Sequence, residues 1–176
     1  VTIEDWGDRP LDIRKKEMLE IYNAAWNDNY GFVPFTQEEF DQIIDDMMLI
    51  MDKKLFIFLY IKGEAAAFFG GVPNVTEKLS RIGKFRHLEL IRAIKLILGA
   101  KHTKGFRLGY LGVKPKFRRL GLDGVMLWKQ KQYSSTKYKY CDMGWVLEDN
   151  KIVIKLIEMI KGKDSKTYTI YEKEII

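Results

Sequence analysis

Hydrophobic side chains recur every three or four positions over the first fifty residues, and this spacing predicts two helices. The first helix ends near Trp26, because the turn-forming residues 27–31 follow it. The second helix begins at a capping box of Thr36 and Glu39, in which each side chain accepts the backbone N–H of the other residue. A phenylalanine on either side of this box occupies the position of a hydrophobic staple.

Continuous apolar runs predict strands in the middle of the chain. Residues 55–61 and 65–72 are two such runs, and the turn Lys62-Gly63-Glu64 joins them as a hairpin. Residues 1–6 predict a further short strand. A basic insertion follows at 75–104, and within it residues 87–98 have the spacing of an amphipathic helix. We expect the apolar face of this helix to pack on the sheet rather than on a membrane.

Strands and helices alternate in the second half of the chain. The first predicted elements are a strand at 106–113, a helix at 125–133, a turn at 134–136 and a strand at 137–146. A further helix follows, which Asp149 or Asn150 caps and Gly162 closes. The last element is a strand at 166–176. Strand–helix–strand units favour parallel pairing, whereas the hairpin favours antiparallel pairing. We therefore predict an α/β (mixed α+β) fold, with a mixed, partly parallel sheet flanked by helices, in a single domain at 1–176.

The loop between the strand at 106–113 and the next helix has the composition of an anion site. Four cations lie in it, Lys114, Lys116, Arg118 and Arg119. Gly121 and Gly124 let the backbone approach a bulky group. The first turn of the helix leaves N–H groups unpaired and partly positive, which favours a bound phosphate or diphosphate. The alternative is a basic turn with solvated charges in front of a capped helix.

Composition and known motifs exclude several other kinds of site. The loop lacks both the Lys-Ser/Thr of a P-loop and the complete glycine pattern of a dinucleotide fold. His87 and His102 are too far apart, with no cysteine nearby, to predict a metal site. The lone Cys141 suits a reducing, cytoplasmic location. No apolar run approaches the ~18 residues of a membrane span, so we expect no membrane partner.

The loop resembles the Arg/Gln-x-x-Gly-x-Gly/Ala motif of the GNAT superfamily of acyl-CoA N-acyltransferases. Arg118-Arg119-Leu120-Gly121-Leu122-Asp123 matches this motif at Arg118 and Gly121, and it departs where Asp123 replaces glycine or alanine. Segments 22–27, 31–36 and 145–150 and the insertion look like a bacterial subgroup of GNAT-like proteins of unassigned substrate. In many members this domain is the C-terminal half of a longer chain, which suits a sequence that begins with Val1.

The resemblance implies a site for acetyl-CoA or free coenzyme A. The diphosphate would lie on the loop formed by Arg118, Arg119, Leu120, Gly121, Leu122, Asp123 and Gly124. Pantetheine would lie beside Leu111, Gly112 and Val113, in a gap where 110–113 splay from the strand that begins near Lys139. Asn150 matches the asparagine that opens the last helix near the cofactor, although an N-cap alone would explain it.

The acceptor pocket of the family borders the joint between the first two helices. The corresponding residues are Trp26, Asn27, Tyr30 and Phe32. A hydrophobic plug, with Asn27 as a helix stop, is the alternative interpretation of the same residues. The acceptor would be a small-molecule or peptide amine, and the sequence does not identify it.

The catalytic residues do not match the family pattern. Acyl transfer requires a proton donor for the leaving thiolate, and the family often uses a tyrosine in the last helix. Ile157 occupies that position, and the strand that carries Leu111 lacks an acidic residue. Glu148 and Tyr110 are substitutes, and the alternative interpretations are a solvated loop carboxylate and a packed core tyrosine.

Three functions are consistent with these observations. The first is an N-acyltransferase that moves an acetyl or other acyl group from acetyl-CoA to an unknown primary amine. The second is a catalytically inactive acyl-CoA-binding or interaction domain, which Ile157 motivates. The third is a nucleic-acid-binding domain, for which the pI near 9.2 is the only support. We therefore expect no nucleic acid partner.

Overall fold

The computed structural model describes residues 1–29, 31–78, 89–169 and 171. The strands are β1 (Thr2–Asp5), β2 (Phe56–Ile61), β3 (Glu64–Pro73), β4 (Gly105–Val113) and β5 (Tyr140–Asp142). The helices are α1 (Leu11–Trp26), α2 (Gln37–Met48), α3 (Glu89–Ala100), α4 (Leu122–Lys137) and α5 (Lys151–Met159). They belong to two compact units, Val1–Gly144 and Trp145–Ile176, each of which is described by itself.

One mixed sheet forms the centre of the first unit, with the strand order β1-β2-β3-β4-β5. The first four strands pair antiparallel, and β5 pairs parallel to β4. The predicted mixed, partly parallel sheet is thus confirmed. Lys62 and Gly63 both have positive φ values, 52° and 84°, which is the conformation that a two-residue hairpin turn requires.

The core of the first unit lies on β2 and β3. Residues 56–60 of β2 and 66–69 of β3 are all buried; α1 packs against β3, α4 packs against both strands, and α2 packs against α1. Met18 and Ile21 of α1 and Ile44 of α2 are fully buried. Burial of this kind stabilises the fold by about 25 cal/mol for each Å² of apolar surface removed from water.

The sequence predicted the start of α2 correctly. The Thr36 hydroxyl accepts the Glu39 N–H at 3.3 Å, and the Glu39 carboxylate accepts the Thr36 N–H at 2.9 Å. The rings of Phe35 and Phe40 lie 6.2 Å apart, as in a hydrophobic staple. Local chemistry therefore determines this helix boundary.

The turn predicted at 134–136 is wrong, because α4 continues to Lys137. Tertiary contacts hold this last turn in the helix: one carboxylate oxygen of Asp52 accepts hydrogen bonds from Tyr133 at 2.7 Å, Lys137 at 2.6 Å and Tyr138 at 2.8 Å. Burial alone would raise the pKa of Asp52, but these three donors outweigh burial and lower it. The strand predicted at 137–146 is consequently reduced to β5.

Two further predictions differ from the structure. Of the strand predicted at 166–176, the described residues 166–169 and 171 are not in a strand, and the remaining residues lie outside the description. The helix predicted from His87 is described from Glu89 onward, and its apolar face does not pack on the sheet. Instead α3 buries its opposite side, where Ala100 is only 2% exposed.

Candidate active site

The loop after β4 contains two residues in the left-handed backbone conformation. A short 3-10 turn, Pro115–Phe117, follows the strand, and α4 begins at Leu122. Between them Arg119 has φ 67° and Gly121 has φ 70°. Backbone of this kind turns successive N–H groups toward one concave side. The left-handed Arg119 costs about 1–3 kcal/mol, and such strain is concentrated at ligand clamps.

The amides of this loop lack partners within the protein. In the part of the chain that the structure describes, the N–H groups of residues 119–124 make no hydrogen bond. The flanking amides are bonded: Arg118 donates to the Pro115 carbonyl at 3.2 Å, and Val125 donates to the Gly121 carbonyl at 3.2 Å. The Asp123 carboxylate does not cap the helix. These amides are therefore available to an anionic ligand.

Open space surrounds the two glycines of the loop. A Cβ atom built on Gly121 or Gly124 would meet no heavy atom within 4 Å. A ligand can therefore approach the backbone of the loop at these two positions.

Three of the four predicted cations have partners in the protein. Lys114 is buried and lies 2.6 Å from Glu20, and Lys116 lies 2.6 Å from Glu64. Arg118 donates to the Ala25 carbonyl at 3.0 Å and lies 3.7 Å from Asp28. Arg119 is exposed and has no partner among the described residues. The positive charge available to a ligand therefore comes from Arg119 and the helix N-terminus.

A gap opens between β4 and β5 beyond three residue pairs. Parallel pairing runs from Gly105–Tyr140 to Arg107–Asp142, and no described strand pairs with this edge of β4 farther on. At Gly144 the chain is still close, because a Cβ there would lie 2.9 Å from the Leu108 carbonyl oxygen. The closed end is fixed by Glu77, which accepts the Gly105 N–H at 2.8 Å and the Tyr140 hydroxyl at 2.5 Å.

The register of β4 orients its backbone groups in this gap. The Lys114 N–H donates to the Ala66 carbonyl of β3 at 2.9 Å, and hydrogen-bonded pairs alternate along an antiparallel ladder. Gly112 therefore bonds to β3, whereas the N–H and C=O groups of Leu111 and Val113 point toward the open edge. An extended ligand in the gap could pair with these groups as an added strand does.

An aromatic cluster lies at the joint between α1 and α2. The ring of Tyr22 is 4.4 Å from Trp26, 5.7 Å from Phe32 and 6.0 Å from Tyr110. Gly112 allows Trp26 to pack against β4, because a Cβ there would lie 3.1 Å from the indole ring. Of the predicted acceptor residues, Trp26 and Phe32 thus both pack against Tyr22, and Trp26 also lies beside β4. Asn27 is exposed at the end of α1, and Tyr30 lies outside the described residues.

Two phenol groups in this cluster are half-buried and unpartnered. The hydroxyls of Tyr22 and Tyr110 make no hydrogen bond within the described part of the chain. Burial raises the pKa of both, and for Tyr110 the neighbouring Tyr22 raises it further. Both hydroxyls therefore keep their protons at neutral pH. Tyr22 was not among the predicted site residues, because its spacing is that of any other core position of α1.

The remaining predicted site residues belong to the second unit. Asn150 caps α5, where its side chain accepts the Val153 N–H at 3.3 Å. Glu148 is exposed, and its backbone carbonyl accepts the Lys151 ammonium at 2.7 Å. Ile157 lies within α5. Their roles in binding or catalysis stay predictions.

The described residues contain neither a cluster of side chains that could hold a metal ion nor a helix long and apolar enough to cross a bilayer. No family model matches the chain.

Known structures share this arrangement of strands and helices. An aminoglycoside 6'-N-acetyltransferase from Acinetobacter haemolyticus superposes with a TM-score of 0.58 over all of both chains, at 14% identity. The Escherichia coli ribosomal-protein-S18-alanine N-acetyltransferase superposes with a TM-score of 0.55 over 90% of this chain and 75% of its own chain, at 16% identity. The chain has the GNAT fold. A third GNAT-fold structure, an aminoglycoside N-acetyltransferase in complex with CoA, gives 0.60 over 99% of this chain and 95% of its own, at 10% identity.

Two curated proteins are similar in sequence to this GNAT-fold chain. The bacterial ceramide synthase of Caulobacter vibrioides is 34% identical over 182 residues, which cover 95% of this chain and 46% of that protein. Protein YghO of Escherichia coli is 27% identical over 167 residues, which cover 90% of this chain and 42% of that protein. The chain thus spans less than half the length of the curated relatives that it matches.

Proposed function

We propose that this chain is an acyl-CoA-dependent N-acyltransferase, which forms an amide between an acyl group and a primary amine. The observation that carries the proposal is the set of unpaired amides at 119–124, next to the open edge of β4. Similar folds that use CoA support the identity of the donor.

The residues present fit coenzyme A. The amides of 119–124 and the Arg119 guanidinium would bind the diphosphate, because both favour negative charge and neither has a protein partner. Leu111 and Val113 would bind the amide groups of pantetheine through their outward-facing backbone. Bound acyl-CoA supplies a thioester, whose carbonyl carbon reacts with the amine.

Tyr110 is the residue that we assign to proton donation. Attack by the amine forms the C–N bond and breaks the C–S bond; the nitrogen gives up one proton, and the sulfur that leaves must acquire one. The Tyr110 hydroxyl keeps its proton at neutral pH and has no partner among the described residues. Its side chain projects from the strand whose neighbouring residue, Leu111, borders the gap. Tyr110 of β4 would thus take the role that the family often gives to a tyrosine at the position of Ile157.

The acceptor that we propose is an apolar amine of the long-chain amino-alcohol class. The similarity to a protein named ceramide synthase supports this class, because a ceramide is the N-acyl derivative of such an amine. The joint that borders the site is lined by Tyr22, Trp26 and Phe32. A polycationic acceptor would need free carboxylates near this joint, but those of Glu20 and Asp28 already face Lys114 and Arg118.

Calorimetry and an amide-formation assay test this function. We expect the affinity for CoA to exceed that for pantetheine, which lacks the diphosphate, by about 100-fold or more. This ratio corresponds to about 2.7 kcal/mol of binding free energy. Acetyl-CoA and a long-chain acyl-CoA should each be incubated with a sphingoid base, with the amide detected by mass spectrometry. Equal affinity for CoA and pantetheine, or no amide with either donor, would contradict the proposal.

Replacing Tyr110 with phenylalanine should lower kcat by about 100-fold or more, since general acid catalysis contributes that much. CoA affinity should not change, because the substitution removes only a hydroxyl group. The matched control is Tyr22→Phe, which removes a second buried hydroxyl from the same cluster and should retain most of the activity. Steady-state kinetics with one acyl-CoA measures both variants, and the reverse ranking would assign the donor role to Tyr22 instead.

A catalytically inactive acyl-CoA-binding domain is the second candidate, which Ile157 in α5 favours. Tight CoA binding without turnover over a broad panel of amines would support it over the enzyme.

A further inference from the structure

The positive charge of the chain is concentrated in one segment. Residues 78–104 contain eight lysines and arginines, Lys78, Arg81, Lys84, Arg86, Arg92, Lys95, Lys101 and Lys104. Glu89 is the only acidic residue there, so the segment carries +7, whereas the whole chain carries +6. The other residues therefore sum to −1. A charge this localised produces a directional field rather than a uniform one.

The helix at the centre of this segment exposes an aliphatic face. Leu90, Ile94 and Leu98 are spaced four residues apart, which places them on one side of α3. They are 75%, 48% and 61% exposed, and Ile91 beside them is 39% exposed. The other side of the helix meets the protein, where Ala100 is buried and Gly99 lies against the Lys78 side chain. The exposed face is thus the one with no covering element among the described residues.

Basic residues accompany this face along the chain. Within α3 Lys95 lies beside this face, whereas Arg92 is on the opposite side, and Lys101 and Lys104 follow the helix and are exposed. An aliphatic face with cations around it is the composition of a helix that lies in a membrane interface. Lysines and arginines near such a face are attracted by the negative surface of anionic phospholipids.

We propose that α3 binds the surface of a membrane that contains anionic phospholipids, with Leu90, Ile94 and Leu98 inserted among the lipids. The charge distribution favours this occupant over a second copy of the chain, because two segments of +7 would repel each other. The proposal replaces two sequence-based expectations, that this face packs on the sheet and that the chain has no membrane partner. It does not depend on the proposed acyltransferase activity.

Vesicle co-sedimentation of the full chain tests the proposal. We expect binding to vesicles of phosphatidylglycerol and phosphatidylcholine in equal amounts, and about tenfold or more weaker binding to phosphatidylcholine alone. Raising the salt concentration from about 0.1 M to about 1 M should weaken binding to the anionic vesicles, since it shortens the Debye length from about 10 Å to about 3 Å.

A set of alanine substitutions separates the contribution of the aliphatic face from that of charge. The triple variant L90A/I94A/L98A keeps every charge and should bind the anionic vesicles about tenfold or more weakly. The matched control is V33A/L49A, which shortens two exposed aliphatic residues, 76% and 61% exposed, outside α3. The control should bind like the wild type, and circular dichroism should show that both variants are folded.

Three results would overturn the proposal. The first is equal binding to neutral and anionic vesicles, and the second is equal loss of binding in the triple variant and the control. The third is a dimer in light scattering that the triple variant dissociates, without binding of the wild type to either vesicle. That last outcome would assign the exposed face to self-association. None of these measurements involves CoA, so the result is independent of the test of the enzyme.

Discussion

Replacing Gly124 with glutamate should weaken CoA binding by about 100-fold or more without destabilising the protein. A side chain fits at this position, because a Cβ there would meet nothing within 4 Å. Gly124 is the third residue of α4, where an acidic side chain interacts favourably with the helix N-terminus, and glutamate and alanine are both better helix formers than glycine by about 0.5–1 kcal/mol. The same carboxylate would lie beside the amides that we assign to the diphosphate, and it would repel that group.

The control for this variant is Gly124→Ala, which adds a Cβ and no charge. Calorimetry with CoA and thermal unfolding should be measured for both variants. The alanine variant should bind CoA nearly as well as the wild type, and both variants should have a Tm equal to the wild-type value or higher. If both lost affinity equally, the added Cβ rather than the charge would be responsible. If the glutamate variant bound CoA normally, the diphosphate would have to bind elsewhere.

Replacing Arg14 with alanine should lower the free energy of unfolding by about 3–5 kcal/mol, which is the cost of breaking a buried ion pair by removing one partner. The Arg14 side chain is fully buried in α1. Its guanidinium donates to Glu4 at 3.0 Å, to Glu17 at 3.2 Å, to the Asp5 carbonyl at 2.7 Å and to the Tyr60 hydroxyl at 2.5 Å. Without it, two largely buried carboxylates lose a counter-charge.

Arg9→Ala is the matched control for Arg14→Ala. Arg9 also binds Glu4, at 2.8 Å, and Glu17, at 3.3 Å, but its side chain is 32% exposed. Solvent screens such pairs, so we expect a loss of at most about 1 kcal/mol. Urea denaturation monitored by circular dichroism measures the stability of both variants. If the alanine variant does not fold, Arg14→Lys is measured in its place. An equal loss from Arg9 and Arg14 would contradict the assigned role of the buried guanidinium.

The sequence predicted those elements whose signals are local. The capping box at Thr36, the hairpin turn at Gly63 and the strand that Pro115 ends all depend on residues close to each other in the chain. Distant partners decided one element that was predicted wrongly. Asp52 extends α4 through residues more than eighty positions away, which no pattern in 134–136 could show.

The candidate site shows the same division. The loop at 118–124 could be found because glycines, cations and a helix start occur together within it. The sequence could not show that Lys114 and Lys116 bind glutamates, because Glu20 and Glu64 lie far away along the chain. Arg14 likewise looked like one charge among several in a polar stretch, since its partner Tyr60 is 46 residues away.

The hydrogen bond from Arg118 to the Ala25 carbonyl joins the loop at 118–124 to the end of α1, one residue before Trp26. A donor that reorients Arg118 would therefore disturb the wall of the acceptor joint, and an acceptor that shifts Trp26 would act back on the loop. Thermodynamic linkage makes this influence mutual, so that whatever factor one ligand imposes on the affinity of the second, the second imposes on the first. The strength of this coupling between the two proposed substrates would then depend on a single hydrogen bond between a side chain and a carbonyl.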